Sequence, residues 1–238
     1  MQKTGITVLA ISIIIIGAVL VWYVMGSGSF TKDQSATDDA TQALRDQLPE
    51  VVATVNGEEI DKQSFITLGE QIAVQQSSQE VDISSPEIQL AISNQALNLL
   101  VNQALLLQAA QAEGVEVDSS ALDEQYAVLV QGAGGADQLQ DQLDKANITQ
   151  EQIREDLRMQ LLIQAYLENK LDLSSITVSD EEIQSFYDLL QAEQEEDTPA
   201  FDEVRDQIVL QLRSEKEAQL VADHLATLRE SADIQVNI

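Results

Sequence analysis

Cysteine is absent from this chain of 238 residues. Its absence excludes a thiol nucleophile, a thiolate metal site and a disulfide framework. It also excludes anchoring through a lipidated cysteine. Basic residues are scarce: 12 Lys and Arg stand against 41 Asp and Glu, a formal charge of −29. Nucleic-acid binding depends on Lys and Arg neutralising phosphates, so that class of partner is excluded. Anionic lipid headgroups repel the acidic part of the chain for the same reason. Histidine occurs once, as His224 beside Asp223 in a helical pattern, and reads as a surface or boundary residue rather than a general base. The acidic run at residues 193–197 lacks the spaced ligands and turn glycine of a calcium loop. The glycines at 132, 134 and 135 are not followed by Lys-Ser/Thr, so they make a chain break and not a phosphate loop. No catalytic residue, no metal and no cofactor is expected.

One long hydrophobic run is present. Residues 6–25 read ITVLAISIIIIGAVLVWYVM without a charged side chain. A bilayer-spanning helix needs about 20 apolar residues, whereas the apolar core of a cleaved signal is about 7–15 residues long. Trp22 and Tyr23 suit a membrane–water interface. Residues 1–25 are therefore expected to form a retained signal-anchor helix, with cleavage near residues 26–28 as the alternative. Lys3 precedes the run, and Lys32 with Asp33, Asp38 and Asp39 follows it. The positive-inside rule then places the N-terminus in the cytoplasm and the body outside, at the cell membrane. Residues 26–48, rich in Gly, Ser, Thr, Asp and Gln, are expected to form a flexible acidic linker.

The remainder, 49–238, reads as one mainly helical module. Residues 51–55 form a β-branched run ending in Asn56-Gly57, a strand and a turn. Asp61 is placed to cap a helix carrying Phe65, Ile66, Leu68 and Ile72. Ser85-Pro86 puts a cap and a first-turn proline before a long helix that stops at Gly114. Residues 97–112 of that helix are apolar on more than one face, which predicts a central position. Helices are predicted over 119–131 and 136–145. Capping boxes stand at Thr149/Gln152 and Ser179/Glu182. Thr198-Pro199 predicts the start of the last helix. Ile234, Val236 and Ile238 alternate with polar residues, the period of a strand. A lone strand cannot satisfy its backbone, so 51–55 is expected to pair with 234–236. The fold class predicted is mainly α, a multi-helix module closed by a two-stranded β pairing of its ends.

The order of these landmarks resembles the SurA/PpiD/PrsA chaperone family. Val52-Ala53-Thr54-Val55-Asn56-Gly57-Glu58-Glu59-Ile60 is similar to the family's opening strand and turn. The helix ending Ala109-Ala110-Gln111-Ala112-Glu113-Gly114 is similar to its second landmark, and the segment from Asn147 to Leu157 to its third. Ile176-Thr177-Val178-Ser179-Asp180-Glu181-Glu182-Ile183 with Phe186-Tyr187 resembles the stretch before the family's parvulin isomerase domain; Phe201-Asp202-Glu203-Val204-Arg205 and Ala232-Asp233-Ile234 resemble the segment after it. Only residues 191–200 separate the two here, where an isomerase domain needs roughly 100 residues. The resemblance thus implies a SurA N-terminal-like helical module lacking the isomerase, and not an enzyme.

It also implies a chaperone for unfolded or extended segments of secreted or envelope proteins. Tyr126, Leu129, Tyr166 and Phe186 are the candidate client-binding residues, with core packing as the competing role of each. The partners implied are unfolded polypeptides, the membrane through residues 6–25, and secretion or envelope machinery. Two alternatives stay open: a membrane-tethered adaptor for one dedicated partner, and a peptidyl-prolyl isomerase by kinship.

Overall fold

The computed structural model describes residues 48–77, 82–146, 148–194 and 199–238. The expected membrane helix, the linker up to residue 47, and residues 195–198 with Thr198 lie outside that set. Of the described residues, 48–166 and 225–238 make one compact unit, and 167–224 make another.

The first unit opens with strand β1 (Val51–Val55), the Asn56-Gly57 turn and strand β2 (Glu58–Asp61). Both turn residues have positive φ, 52° and 84°, the geometry a tight two-residue hairpin requires. Strand β3 (Ile234–Val236) lies antiparallel on the other side of β1, with Ala53 opposite Val236 and Val55 opposite Ile234. The expected pairing of the two ends is present, but the sheet has three strands, in the order β2-β1-β3. The expectation of two strands is corrected by β2, whose single buried residue, Ile60, gives almost no strand pattern.

Helix α1 (Lys62–Ser77) starts directly after β2. Asp61 caps it, accepting from the Ser64 N–H at 2.9 Å. Helix α2 (Pro86–Ala112) follows. Gly114, at φ +67°, ends it: the Val115 N–H donates to the Ala110 carbonyl and the Gly114 N–H to that of Gln111, both at 3.0 Å. These are the paired bonds of a Schellman stop. Every residue from 97 to 110 except Asn98 is buried or half-buried, as the two-sided apolar pattern requires. Among the described residues α2 alone has the length and apolar composition to cross a membrane. It packs instead with α1 and β1 around a core that includes Val52, Val55, Phe65, Leu68, Leu100 and Leu105.

Helix α3 (Ser119–Gly132) is capped by Asp118, whose carboxylate accepts from the Ser120 N–H at 2.8 Å. It ends in a second Schellman stop at Gly134, and helix α4 (Ala136–Ala146) follows. The Thr149/Gln152 box opens helix α5 (Gln150–Lys170): the Thr149 N–H donates to Gln152 Oε1 at 2.8 Å, and the Gln152 N–H returns to Thr149 Oγ1 at 3.1 Å. Leu129, Leu139, Leu143, Ile153 and Leu157 from these three helices share one buried cluster.

The second unit holds a short 3-10 turn (Leu173–Ser175), helix α6 (Asp180–Gln194) and most of helix α7 (Phe201–Ser231), whose last turns belong to the first unit. Pro199 was expected inside the first turn of α7, but the helix begins at Phe201, with the Glu203 N–H donating to the Ala200 carbonyl at 2.9 Å. Pro199 uses its own carbonyl to accept from the Tyr187 hydroxyl at 2.8 Å, a tertiary bond that holds it outside the helix.

Candidate functional site

Helix α6 is built on the second capping box. The Ser179 N–H donates to Glu182 Oε2 at 2.8 Å, and the Glu182 N–H donates to Ser179 Oγ at 3.3 Å. Ile183 and Tyr187 then fall on one face and are buried against Ile208 of α7. The Tyr187 ring meets Phe201 edge-on at 5.1 Å. Phe186 and Leu190 flank that buried face, and Leu189 lies beyond it, 65% exposed. Phe186 and Leu189 with Leu212 of α7 line a cleft of about 350 Å³ whose remaining walls are Ser179, Glu181, Glu182 and Ser185. One exposed leucine and two half-buried apolar side chains thus sit beside an acidic rim.

Of the two rim carboxylates, Glu182 is paired with a cation, and Glu181 has no ion pair among the described residues. The Lys216 ammonium reaches Glu182 at 2.7 Å and the Thr177 carbonyl at 2.7 Å. Arg205 pairs with Asp180 at 2.9 Å. Arg213 pairs with the buried Glu217 at 2.9 Å. The Glu182 carboxyl is held down to about 2, first by the hydrogen bond from Lys216 and then by the Ser179 N–H and hydroxyl. Because its pKa lies below its ordinary 4.5, this carboxylate contributes stability above about pH 4.5 and loses it as pH falls toward 2. Urea unfolding midpoints between pH 7 and 2 should therefore fall less steeply in Lys216→Met than in the parent chain. Identical slopes over that window would show that the pair contributes nothing.

A larger cleft, about 620 Å³, lies in the first unit between α3 and α5. Its walls are mostly charged or polar: Gln150, Glu151, Arg154, Glu155 and Arg158, with Val117 and Leu122. Arg154 is fastened there, bonded to Asp123 at 2.9 Å and lying over the Tyr126 ring at 4.3 Å. A ring covered by a guanidinium gains a cation–π contact but loses that face as a docking surface. Volume favours this cleft; the larger apolar side chains, Phe186, Leu189 and Leu212, favour the one between α6 and α7.

The four residues singled out in the sequence do not share a surface role. Leu129 is 3% exposed and Tyr166 is 1% exposed. Both are buried, which supports the packing role that competed with client binding for each. Tyr126 is half-buried at the edge of the Leu129 cluster. Phe186 alone reaches an apolar cleft. Leu189 and Leu212 were missed. Leu212 lies on the apolar stripe of α7 and was read as core alone; for Leu189 the Leu189-Leu190 doublet was the available signal, since one of two adjacent leucines must leave the buried face. His224 is half-buried on α7. Among the described residues no group of three or more His, Asp or Glu side chains is gathered to hold a metal ion.

Residues 1–130, more than half of the chain, match the SurA-like N-terminal domain family. The chain belongs to that family. The match takes in the β1–β2 hairpin, α1, α2 and most of α3, including the Asn-Gly turn and the long helix ending at Gly114 that carried the resemblance. The capping-box segments after residue 130 lie beyond it. SurA-like N-terminal domains are the non-catalytic, chaperone part of their family and bind unfolded polypeptides in general; no parvulin domain is evident in the 238 residues. No curated protein matches the chain.

Proposed function

We propose that this SurA-like protein is a membrane-anchored, extracytoplasmic chaperone that holds unfolded or extended segments of secreted and envelope proteins without isomerising them. The observation that carries the reading is the cleft of Phe186, Leu189 and Leu212 beside an acidic rim, in a member of a chaperone-like family. Apolar side chains of a client gain about 25 cal/mol per Å² on leaving water there. The net charge of −29 keeps the loaded complex dispersed by mutual repulsion. The anchor assigned to residues 6–25 holds this activity at the membrane surface, with the acidic body facing away from the cytoplasm.

The experiment is suppression of light scattering when a urea-denatured reporter enzyme is diluted into the full chain held in nanodiscs. Suppression at equimolar chain is expected. Leu189→Asp should raise the chain concentration needed by about ten- to a hundredfold, since one lost leucine contact is worth roughly 1.5–3 kcal/mol. Leu189 is exposed, so the substitution leaves the fold intact. Unchanged scattering at molar excess of the parent chain would reject the chaperone reading; equal potency of Leu189→Asp would move the site elsewhere.

A further inference from the structure

The small sheet has one guarded edge and one open edge. At the β2 edge stand Glu58, Glu59 and Asp61, and the chain turns at once into α1. At the β3 edge the sequence is Ile234-Gln235-Val236-Asn237-Ile238, with no lysine, no proline and no charged side chain. Those are among the devices that ordinarily blunt a free edge; of the others β3 has only its shortness, three residues. The register fixes which backbone groups face outward. The Asn56 N–H donates to the Asp233 carbonyl at 2.7 Å, and the Asn237 N–H donates to the Val52 carbonyl at 2.9 Å. Residues 233, 235 and 237 therefore face β1, and Ile234 and Val236 turn their N–H and C=O away from it. Those groups meet no partner strand among the described residues. The side chains of 234, 236 and 238 share one face of the strand. Ile234 packs against the core, while Val236 is 51% and Ile238 is 46% exposed.

We infer that the open edge of β3 is a docking site for an extended polypeptide segment, which adds as a fourth strand. The occupant must be extended, because only an extended backbone presents matching donors and acceptors to Ile234 and Val236. Its apolar residues must alternate, so that one row lies beside Val236 and Ile238. It carries Lys or Arg rather than Asp or Glu, because a chain of charge −29 repels acidic segments. The same charge opposes a second copy of this chain as the occupant. Recognition through backbone bonds tolerates many sequences, which suits a protein that meets varied unfolded clients. The inference rests on the chaperone reading for its occupant, but its site is separate in sequence from the Phe186 cleft.

The probe is a fluorescent peptide of alternating valine and threonine with lysine ends, titrated into the full chain in nanodiscs. Its twin carries N-methyl groups on the amides of one edge, which blocks strand pairing and keeps every side chain. The parent peptide should bind, and the twin should bind at least about tenfold more weakly. Val236→Pro should weaken the parent peptide equally, because the N–H it removes points outward and no bond to β1 is lost. Val236→Lys supplies the missing guard and should do the same with unchanged Tm. Equal binding of twin and parent, no binding of the parent peptide, or full binding to Val236→Lys would overturn the proposal. So would self-association of the chain that Val236→Lys abolishes, which would make a second copy the occupant. If Val236→Lys binds the peptide normally while Leu189→Asp loses aggregation suppression, the edge fails and the chaperone reading stands. If the edge binds the peptide and the chain suppresses no aggregation, the chaperone reading fails alone.

Discussion

Leu129→Ala is expected to lower the free energy of unfolding by about 2–5 kcal/mol, the range for deleting an enclosed leucine side chain. Leu129 is 3% exposed and belongs to a cluster with Leu139, Leu143, Ile153 and Leu157, contributed by α3, α4 and α5. Among the described residues the other side-chain links between these helices are polar and at the surface: Arg154 over the Tyr126 ring, a Gln150–Gln140 hydrogen bond at 2.6 Å, and one ion pair. The Arg154–Asp123 pair that also links α3 to α5 is largely solvent-exposed, and such a pair is worth about 0–1 kcal/mol. The apolar cluster must therefore dominate the cohesion of this helical trio. Urea denaturation followed by circular dichroism measures the loss. At temperatures where the variant stays folded, suppression of client aggregation should match the parent chain, because Leu129 is not on a surface. A variant of parental stability with impaired suppression would return Leu129 to the role of a client contact.

That assignment marks the boundary of what the sequence could yield. Signals carried by neighbours along the chain were legible. Both capping boxes close as expected, Pro86 opens α2 although the Ser85 side chain makes no capping bond, and Gly114 stops it with the left-handed φ that glycine favours. Each is decided within about one helical turn, so local residue types suffice. The pairing of β1 with β3 was also legible, because two strand patterns lay at opposite ends of a helical chain and neither could be satisfied alone. Strand β2 was not. Glu58-Glu59-Ile60-Asp61 has the composition of an exposed turn, and it is extended only because β1 supplies hydrogen-bond partners across the hairpin. The start of α7 was misplaced for a related reason, since Pro199 is held by the Tyr187 hydroxyl, twelve residues earlier in the chain. For the candidate site the difficulty is sharper. Leu129, Tyr166, Phe186 and Leu189 are similar apolar residues at similar helical spacings. Only the packing of other helices decides which are enclosed, and that information is not local.

Asn56→Ala is expected to destabilise the first unit by about 2–3 kcal/mol, a large effect for an exposed residue. Three features converge on this side chain. Its φ is +52°, a left-handed conformation that asparagine tolerates and that costs alanine roughly 1–2 kcal/mol. Its Oδ1 accepts from the Asp233 N–H at 2.9 Å, at the entry to β3. Its Nδ2 donates at 2.8 Å to Gln108 Oε1 on α2, and Gln108 in turn donates to the Val55 carbonyl at 2.9 Å. One turn residue thereby joins the hairpin, the central helix and the last strand, which lie up to 177 residues apart in the chain. Arg229 reinforces the closure from α7 by donating to Asn102 at 2.9 Å and to Asn98 Oδ1 at 3.1 Å. Asn56→Gly separates the contributions. It relieves the backbone while losing both side-chain bonds, so it should cost only about 1 kcal/mol. Gln108→Ala should fall between the two, because it leaves the turn intact but strips the Val55 carbonyl of its second donor. Thermal unfolding of the three variants gives the order: Asn56→Ala lowest in Tm, then Gln108→Ala, then Asn56→Gly. Equal losses in Asn56→Ala and Asn56→Gly would mean that the hydrogen bonds alone matter and the left-handed turn carries no cost. Parental stability in Asn56→Ala would mean that the sheet closes without this link.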